Sequence, residues 1–147
     1  MCGIAGYVSK INSLQTLKNM SYELNHRGPD DSGYWYKEDT GVYLAHQRLS
    51  ILELSKLGKQ PMISASKKII LSYNGEIYNH QEIRKELNSN FKVNWKGNSD
   101  TETLINCIEY LGIEKTLDKL TGMFAFSYYD ISKNQIILAR DRFGEKP

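Results

Sequence analysis

The chain has little with which to staple itself or ligate a metal: its 147 residues include two cysteines, three histidines, three prolines and two tryptophans. A single Cys2–Cys107 disulfide would be unusual in a domain long enough to form a core, so both thiols read as free. His26, His46 and His80 show neither an H-E-x-x-H pair nor Cys/His spacing, and no metal site is expected. No apolar run approaches the roughly 18 residues of a membrane span, and Met1 to Lys10 lacks a charged region ahead of its short apolar run. The expectation is a cytoplasmic protein without a membrane partner. The formal charge is only +2, with lysines and arginines scattered among acids, so nucleic acid is not an expected partner either. Repeats and low-complexity segments are also missing.

What is present suits one folded domain, with hydrophobic residues making up 40% of the chain. Gly3 to Val8 reads as a buried strand, and Ser13 as the cap of a helix with Leu14, Leu17, Ser21 and Leu24 on one face. A turn-rich segment, His26 to Gly33, precedes strands at Gly33 to Tyr36 and Val42 to Ile51. Lys68 to Tyr73 and Glu76 to Tyr78 read as a further strand pair around Asn74-Gly75. Helical periodicity covers His80 to Leu87, Thr101 to Leu111 with Gly112 as its C-cap, and Ile113 to Leu120. Gly122 to Tyr129 and Gln135 to Arg140 form a last hairpin. Strand pairs separated by helix pairs predict an α+β layered domain with antiparallel sheets.

Several positions carry chemistry alongside a plainer structural reading. Removal of Met1 would leave Cys2 with a thiol and a free amine on one residue, a nucleophile together with its base; otherwise Cys2 is a small residue opening an apolar strand. Asn74-Gly75 is either a type I′ turn or an oxyanion hole made of a side-chain amide and a backbone N–H. Arg48 is in phase with Val42 and Leu44, so its guanidinium faces inward toward a carboxylate, of the protein or of a ligand. In Ser99-Asp100-Thr101-Glu102 a capping box, Ser99 with Glu102 reaching back, frees Asp100 to meet an ammonium, as Glu76 also can. Asp30-Asp31 reads as turn chemistry and Cys107 as core.

Taken in order, Met-Cys-Gly-Ile-Ala-Gly, His26-Arg27-Gly28-Pro29-Asp30, Arg48-Leu49-Ser50-Ile51, Tyr73-Asn74-Gly75-Glu76-Ile77-Tyr78-Asn79 and Gly122-Met123-Phe124-Ala125-Phe126 resemble the glutaminase domain of glutamine-hydrolysing asparagine synthetases, which are class II glutamine amidotransferases. The resemblance runs from Met1 to Asp141-Arg142-Phe143-Gly144-Glu145-Lys146-Pro147. It implies an N-terminal-nucleophile hydrolase, an αββα four-layer sandwich with two antiparallel sheets, here as one domain over residues 1–147 and truncated at its C-terminus. It implies Cys2 as nucleophile and Asn74 and Gly75 as oxyanion donors. Arg48 would meet the glutamine α-carboxylate, Glu76 and Asp100 its α-amine, with the backbone of Leu49, Ser50, Ile51 and Leu52 in the same pocket. The implied partners are L-glutamine, a C-terminal synthetase domain absent from these residues, and a second copy in a homodimer. ATP and Mg2+ belong to that synthetase domain, and no cofactor is expected in this segment. A related amidotransferase with another ammonia acceptor, or a glutamine-binding module without turnover, is the alternative.

Overall fold

The computed structural model describes residues 1–11 and 13–147. In chain order the elements are β1 (Gly3–Val8), α1 (Leu14–Glu23), β2 (Asp31–Lys37), β3 (Val42–Arg48), β4 (Met62–Ile63), β5 (Ile69–Ile77), α2 (His80–Asn90), α3 (Asp100–Leu111), α4 (Ile113–Lys119), β6 (Gly122–Asp130) and β7 (Gln135–Arg140). They build two antiparallel sheets, β1-β3-β2 and β4-β5-β6-β7.

Side-chain alternation explains how the sheets stack. On β3, Tyr43 and Ala45 pack with Leu17 of α1, while Val42 and Leu44 join Ile70 of β5 and Tyr129 of β6 between the sheets. All seven residues of β3 are buried, as expected of a strand covered on both faces. The far side of the second sheet supplies Leu71, Tyr73, Ile77, Phe124 and Phe126 to the largest core, closed by Ile83 and Leu87 of α2 and Leu104 and Ile108 of α3. The layers therefore run α1, first sheet, second sheet, then α2 to α4, which is the αββα order expected from the resemblance.

Local chemistry sets the ends of the helices. Ser13 accepts from Gln15 N at 3.1 Å, and α3 stops at Gly112, whose φ of +80° a side chain would resist. Ser99 caps α3 by accepting from Glu102 N at 3.1 Å, but Glu102 does not reach back to Ser99. Its carboxylate instead accepts Lys96 N at 2.7 Å, Gly97 N at 3.0 Å and the Arg84 guanidinium at 3.1 Å. Three donors outcompete the one that a closed capping box would offer.

The hairpin expected at Asn74-Gly75 does not form. β5 runs unbroken through both residues and pairs along its whole length with β6, Ile69 opposite Asp130 through Ile77 opposite Gly122. A type I′ turn needs positive φ at both central residues, and neither Asn74 nor Gly75 has it. Gly75 serves close approach instead: a Cβ there would strike Met123 O and lie 2.7 Å from Phe124 Cα. The brief β4 carried no periodic signal and escaped the sequence reading.

One buried group bridges the two sheets. His46 on β3, 1% exposed, shares a 3.0 Å hydrogen bond between Nε2 and Tyr73 O on β5. The carbonyl can only accept, so Nε2 carries the proton. Burial lowers the imidazole pKa from 6.5 to about 4; the Tyr73 carbonyl opposes that shift and the Arg48 charge adds to it. The unfolded chain therefore binds a proton that the folded one refuses, so this contribution is complete above pH 6.5 and declines as pH falls toward 4. Across that window it amounts to about 3 kcal/mol. Urea titrations at a series of pH values should show His46→Gln with a slope between pH 6.5 and 4 shallower by about that amount. Parallel slopes for the two proteins would remove His46 from the acid response.

Candidate functional site

A cleft of about 100 Å³ opens where the ends of β1 and β3 face β5 and the start of α3. Met1, Cys2, Arg48, Leu49, Ile51, Leu52, Asn74, Gly75, Glu76 and Asp100 are among the residues that line it. Residues spread over a hundred positions of sequence thus meet in one small-molecule-sized space. Ser50 stands outside that lining; its N–H donates to Asp30 Oδ2 at 2.7 Å, which anchors the loop after β3 to the His26–Asp30 turn.

The thiol is held by main chain. Cys2 Sγ accepts from Leu49 N at 3.4 Å and lies 3.6 Å from Leu49 O, to which its S–H donates. Arg27 Nε donates to Cys2 O at 3.3 Å, so both ends of the residue are fixed. Cys107 is fully buried, and burial, its largest influence, raises its thiol pKa. Of the two thiols, only Cys2 faces the cleft.

Opposite Cys2 lies an incompletely paired strand edge. β4 covers only Leu71 and Ile70 of β5, so among the described residues the edge beyond has no strand partner in the sheet. Tyr73 N on that edge donates to Gln60 Oε1 at 2.7 Å, and Ile77 N to Asp100 Oδ2 at 3.1 Å. Gly75 lies midway, and strand alternation points its N–H the same way. Its cross-strand neighbour Phe124 agrees, because Phe124 N and O bond to Asp141 on the far side of β6. Among the described residues the Gly75 N–H meets no acceptor. Asn74 alternates onto the inter-sheet face with Ile70; it is 5% exposed, and its amide likewise has no partner among the described residues.

The charges are arranged with equal economy. Arg48 lies on the inward face of β3 as its phase predicted, 7% exposed. Its Nη1 donates to Ser55 O at 3.0 Å and its Nη2 to Glu53 O; no carboxylate lies within salt-bridge distance among the described residues. Gly58 makes room for it, since a Cβ there would collide with the guanidinium. Asp100 is 5% exposed and accepts Tyr73 OH at 2.6 Å, Ile77 N and its neighbour Thr101 N at 2.9 Å. An ionised carboxylate has about four acceptor positions, so roughly one is left. Glu76 is half-buried beside it without a hydrogen-bond or ion-pair partner among the described residues. The cleft therefore holds unused donors along with the thiol, an uncompensated cation and spare carboxylate capacity. Among the described residues, no three His, Cys, Asp or Glu side chains converge as a metal site.

Sequence reasoning missed Glu53, Gly58, Gln60, Tyr73, Ser99, Thr101 and Met123 as lining residues. Tyr73 could have been found from its place in the Tyr73-Asn74-Gly75 run. Gln60 had no local signal, because its partners Tyr73 and Thr101 lie 13 and 41 residues away.

Known proteins match the chain over nearly all of its length. The profile of the glutamine amidotransferase domain matches residues 1–147. The chain is 38% identical over 153 residues to asparagine synthetase [glutamine-hydrolyzing] 2 of Bacillus subtilis, covering all of this chain and 20% of that protein. It is 40% identical over 149 residues to asparagine synthetase 1 of Lotus japonicus, covering 98% of this chain and 24% of the relative. Asparagine synthetase B of Escherichia coli is 38% identical over 151 residues, with 100% and 26% covered. The chain thus spans about a quarter or less of the length of these relatives. Among solved structures, glutamine phosphoribosylpyrophosphate amidotransferase of B. subtilis shares the fold, with a TM-score of 0.57 at 19% identity over 95% of this chain and 30% of that one. With its whole length matched and its two-sheet sandwich shared, the chain belongs to the glutamine amidotransferase domain family.

Proposed function

We propose that this chain is the glutaminase part of a glutamine-hydrolysing asparagine synthetase. One observation carries the chemistry: Cys2 Sγ, the Gly75 N–H and the Asn74 amide share one cleft, and both donors are unclaimed. Arg48 binds the substrate α-carboxylate through its free N–H groups, and Glu76 with the spare position on Asp100 binds the α-ammonium. Those contacts place the side-chain amide against the sulfur, a positioning effect worth several kcal/mol.

The steps follow from the groups present. With Met1 removed, the Cys2 amine takes the thiol proton and the sulfur attacks the amide carbon, forming the C–S bond. The carbonyl oxygen becomes an oxyanion held by Gly75 N–H and Asn74 Nδ2. The amine then gives its proton to the departing nitrogen, the C–N bond breaks, and ammonia leaves a γ-glutamyl thioester. Water, losing a proton to the same amine, hydrolyses the thioester to glutamate and restores the thiol. A reducing cytoplasm suits such a nucleophile. Ammonia passes to a synthetase region that amidates aspartate with ATP and Mg2+. We assign both cofactors to that synthetase region.

Intact mass and peptide mapping with the glutamine analogue 6-diazo-5-oxo-L-norleucine test the reading: one adduct, on Cys2 of chains lacking Met1, is expected. A trimmed but unlabelled Cys2 would sink it. Asn74→Ala should lower kcat by about 100 to 1,000-fold with little change in KM, since the donor acts on charge that develops in the transition state. Asp100→Asn should instead raise KM for glutamine by roughly 10 to 100-fold, the loss of a charge-assisted hydrogen bond, while kcat changes far less. Steady-state kinetics separates the two patterns, and a stability loss without that split would mark either residue as structural.

A further inference from the structure

The end of the chain folds back beside the cleft. Asp141 is 5% exposed, and its carboxylate accepts Phe124 N and Phe143 N at 3.2 Å, Glu145 N at 2.8 Å and Lys146 N at 3.0 Å. Burial works to raise this carboxyl, and the backbone donors outweigh it and hold the pKa at about 2. The resulting knot turns the Lys146 side chain inward, where the residue is 2% exposed. A lysine so deep ordinarily has a carboxylate partner. Here its Nζ meets Met1 Sδ at 2.6 Å and Met123 Sδ at 3.1 Å, with no salt bridge among the described residues. Thioether sulfur is a weak acceptor, so the ammonium is poorly satisfied. Met1 and Met123 both line the cleft with Cys2.

Met1 is the residue that must leave for the proposed chemistry. Its loss takes away one of the two sulfurs and creates, on the next residue, an amine with a lone pair. We infer that in the trimmed protein Lys146 is a positioning residue whose ammonium faces the Cys2 α-amine, opposes its protonation and keeps it ready to accept the thiol proton. This inference rests on the reading of Cys2 as an N-terminal nucleophile. The other charged and titratable groups that line the cleft with Cys2 or touch that residue are Arg27, Arg48, Glu53, Tyr73, Glu76 and Asp100. Arg27 is engaged by Cys2 O and Arg48 by the carbonyls of Glu53 and Ser55. The carboxylates favour a protonated amine; the guanidinium charges of Arg27 and Arg48, which neutral carbonyls do not cancel, oppose it, and Lys146 adds to that counterweight, since a like charge disfavours a second one.

The pH profile of kcat/KM for glutamine hydrolysis, measured on chains shown by mass to lack Met1, tests this for wild type, Lys146→Met and Lys146→Arg. Lys146→Met should move the acid limb up by about one pH unit, lowering activity about tenfold below both midpoints, while the alkaline plateau stays close to wild type. Lys146→Arg should keep the wild-type midpoint. A uniform loss at every pH in Lys146→Met would mean a packing role and overturn the inference. Should that variant not fold, the wild-type amine still decides: its carbamylation by cyanate should have a midpoint below the usual 7.7 to 8.0, and one at or above that range rejects the role. A norleucine-analogue adduct on Cys2 with an unmoved acid limb rejects Lys146 alone, and no adduct on Cys2 rejects the nucleophile and the inference together.

Discussion

The site depends on the shortness of β4. Because that strand spans only Met62–Ile63, the edge of β5 is left without a strand partner from Tyr73 to Ile77 among the described residues. Unpaired edges are ordinarily covered or blunted. Here side chains do it selectively: Gln60 takes the first donor and Asp100 the last, leaving Gly75 between them. Extending β4 by a few residues would pair the edge fully and abolish the free N–H. The same choice makes Asp100 a structural residue as well as a charged wall of the cleft.

Asp100 is in turn held by a buried cation some distance from the cleft. Arg84 donates to Thr103 Oγ1, Gly97 O, Ser99 O and Glu102 Oε2, and its guanidinium lies 4.0 Å from the centre of the Trp95 ring. A buried ion pair adds little net stability compared with an apolar replacement, but it is costly to leave half-made. Its worth here is geometric, because it fixes residues 96–99 and hence the first turn of α3. Glu53 closes the other side, its carboxylate accepting Ser55 N at 3.1 Å and Asn98 N at 3.2 Å. The loop that follows Arg48 and the loop that precedes Asp100 are thereby tied to each other.

Elements with local causes were legible in the sequence. β1, α1 with its Ser13 cap, the Gly112 stop and the β6–β7 hairpin lie where period and turn residues place them. The inward face of Arg48 also followed from period 2 alone. Asn74-Gly75 shows the limit: as a dipeptide it spells a turn, and only pairing with β6, some fifty residues later, keeps it extended. Glu102 failed for a similar reason, since its donors come from residues 96, 97 and 84 rather than from its own cap. The gathering of Cys2, Arg48, Asn74, Gly75, Glu76 and Asp100 was legible through the order of short motifs, which a family resemblance reads and periodicity does not. Gln60 and Lys146, whose partners are remote in sequence, were not legible either way.

The grip on the Cys2 sulfur uses only the peptide groups of Leu49. As far as the thiol is concerned, position 49 is therefore nearly blind to side-chain identity: many residues can supply the same N–H and C=O, and proline alone lacks the donor. Gly75 is the opposite case, since its required feature is the absence of a side chain against β6. Two residues lining one cleft with the same thiol thus differ in evolutionary freedom, the first able to drift while the geometry at sulfur persists, the second fixed by steric necessity.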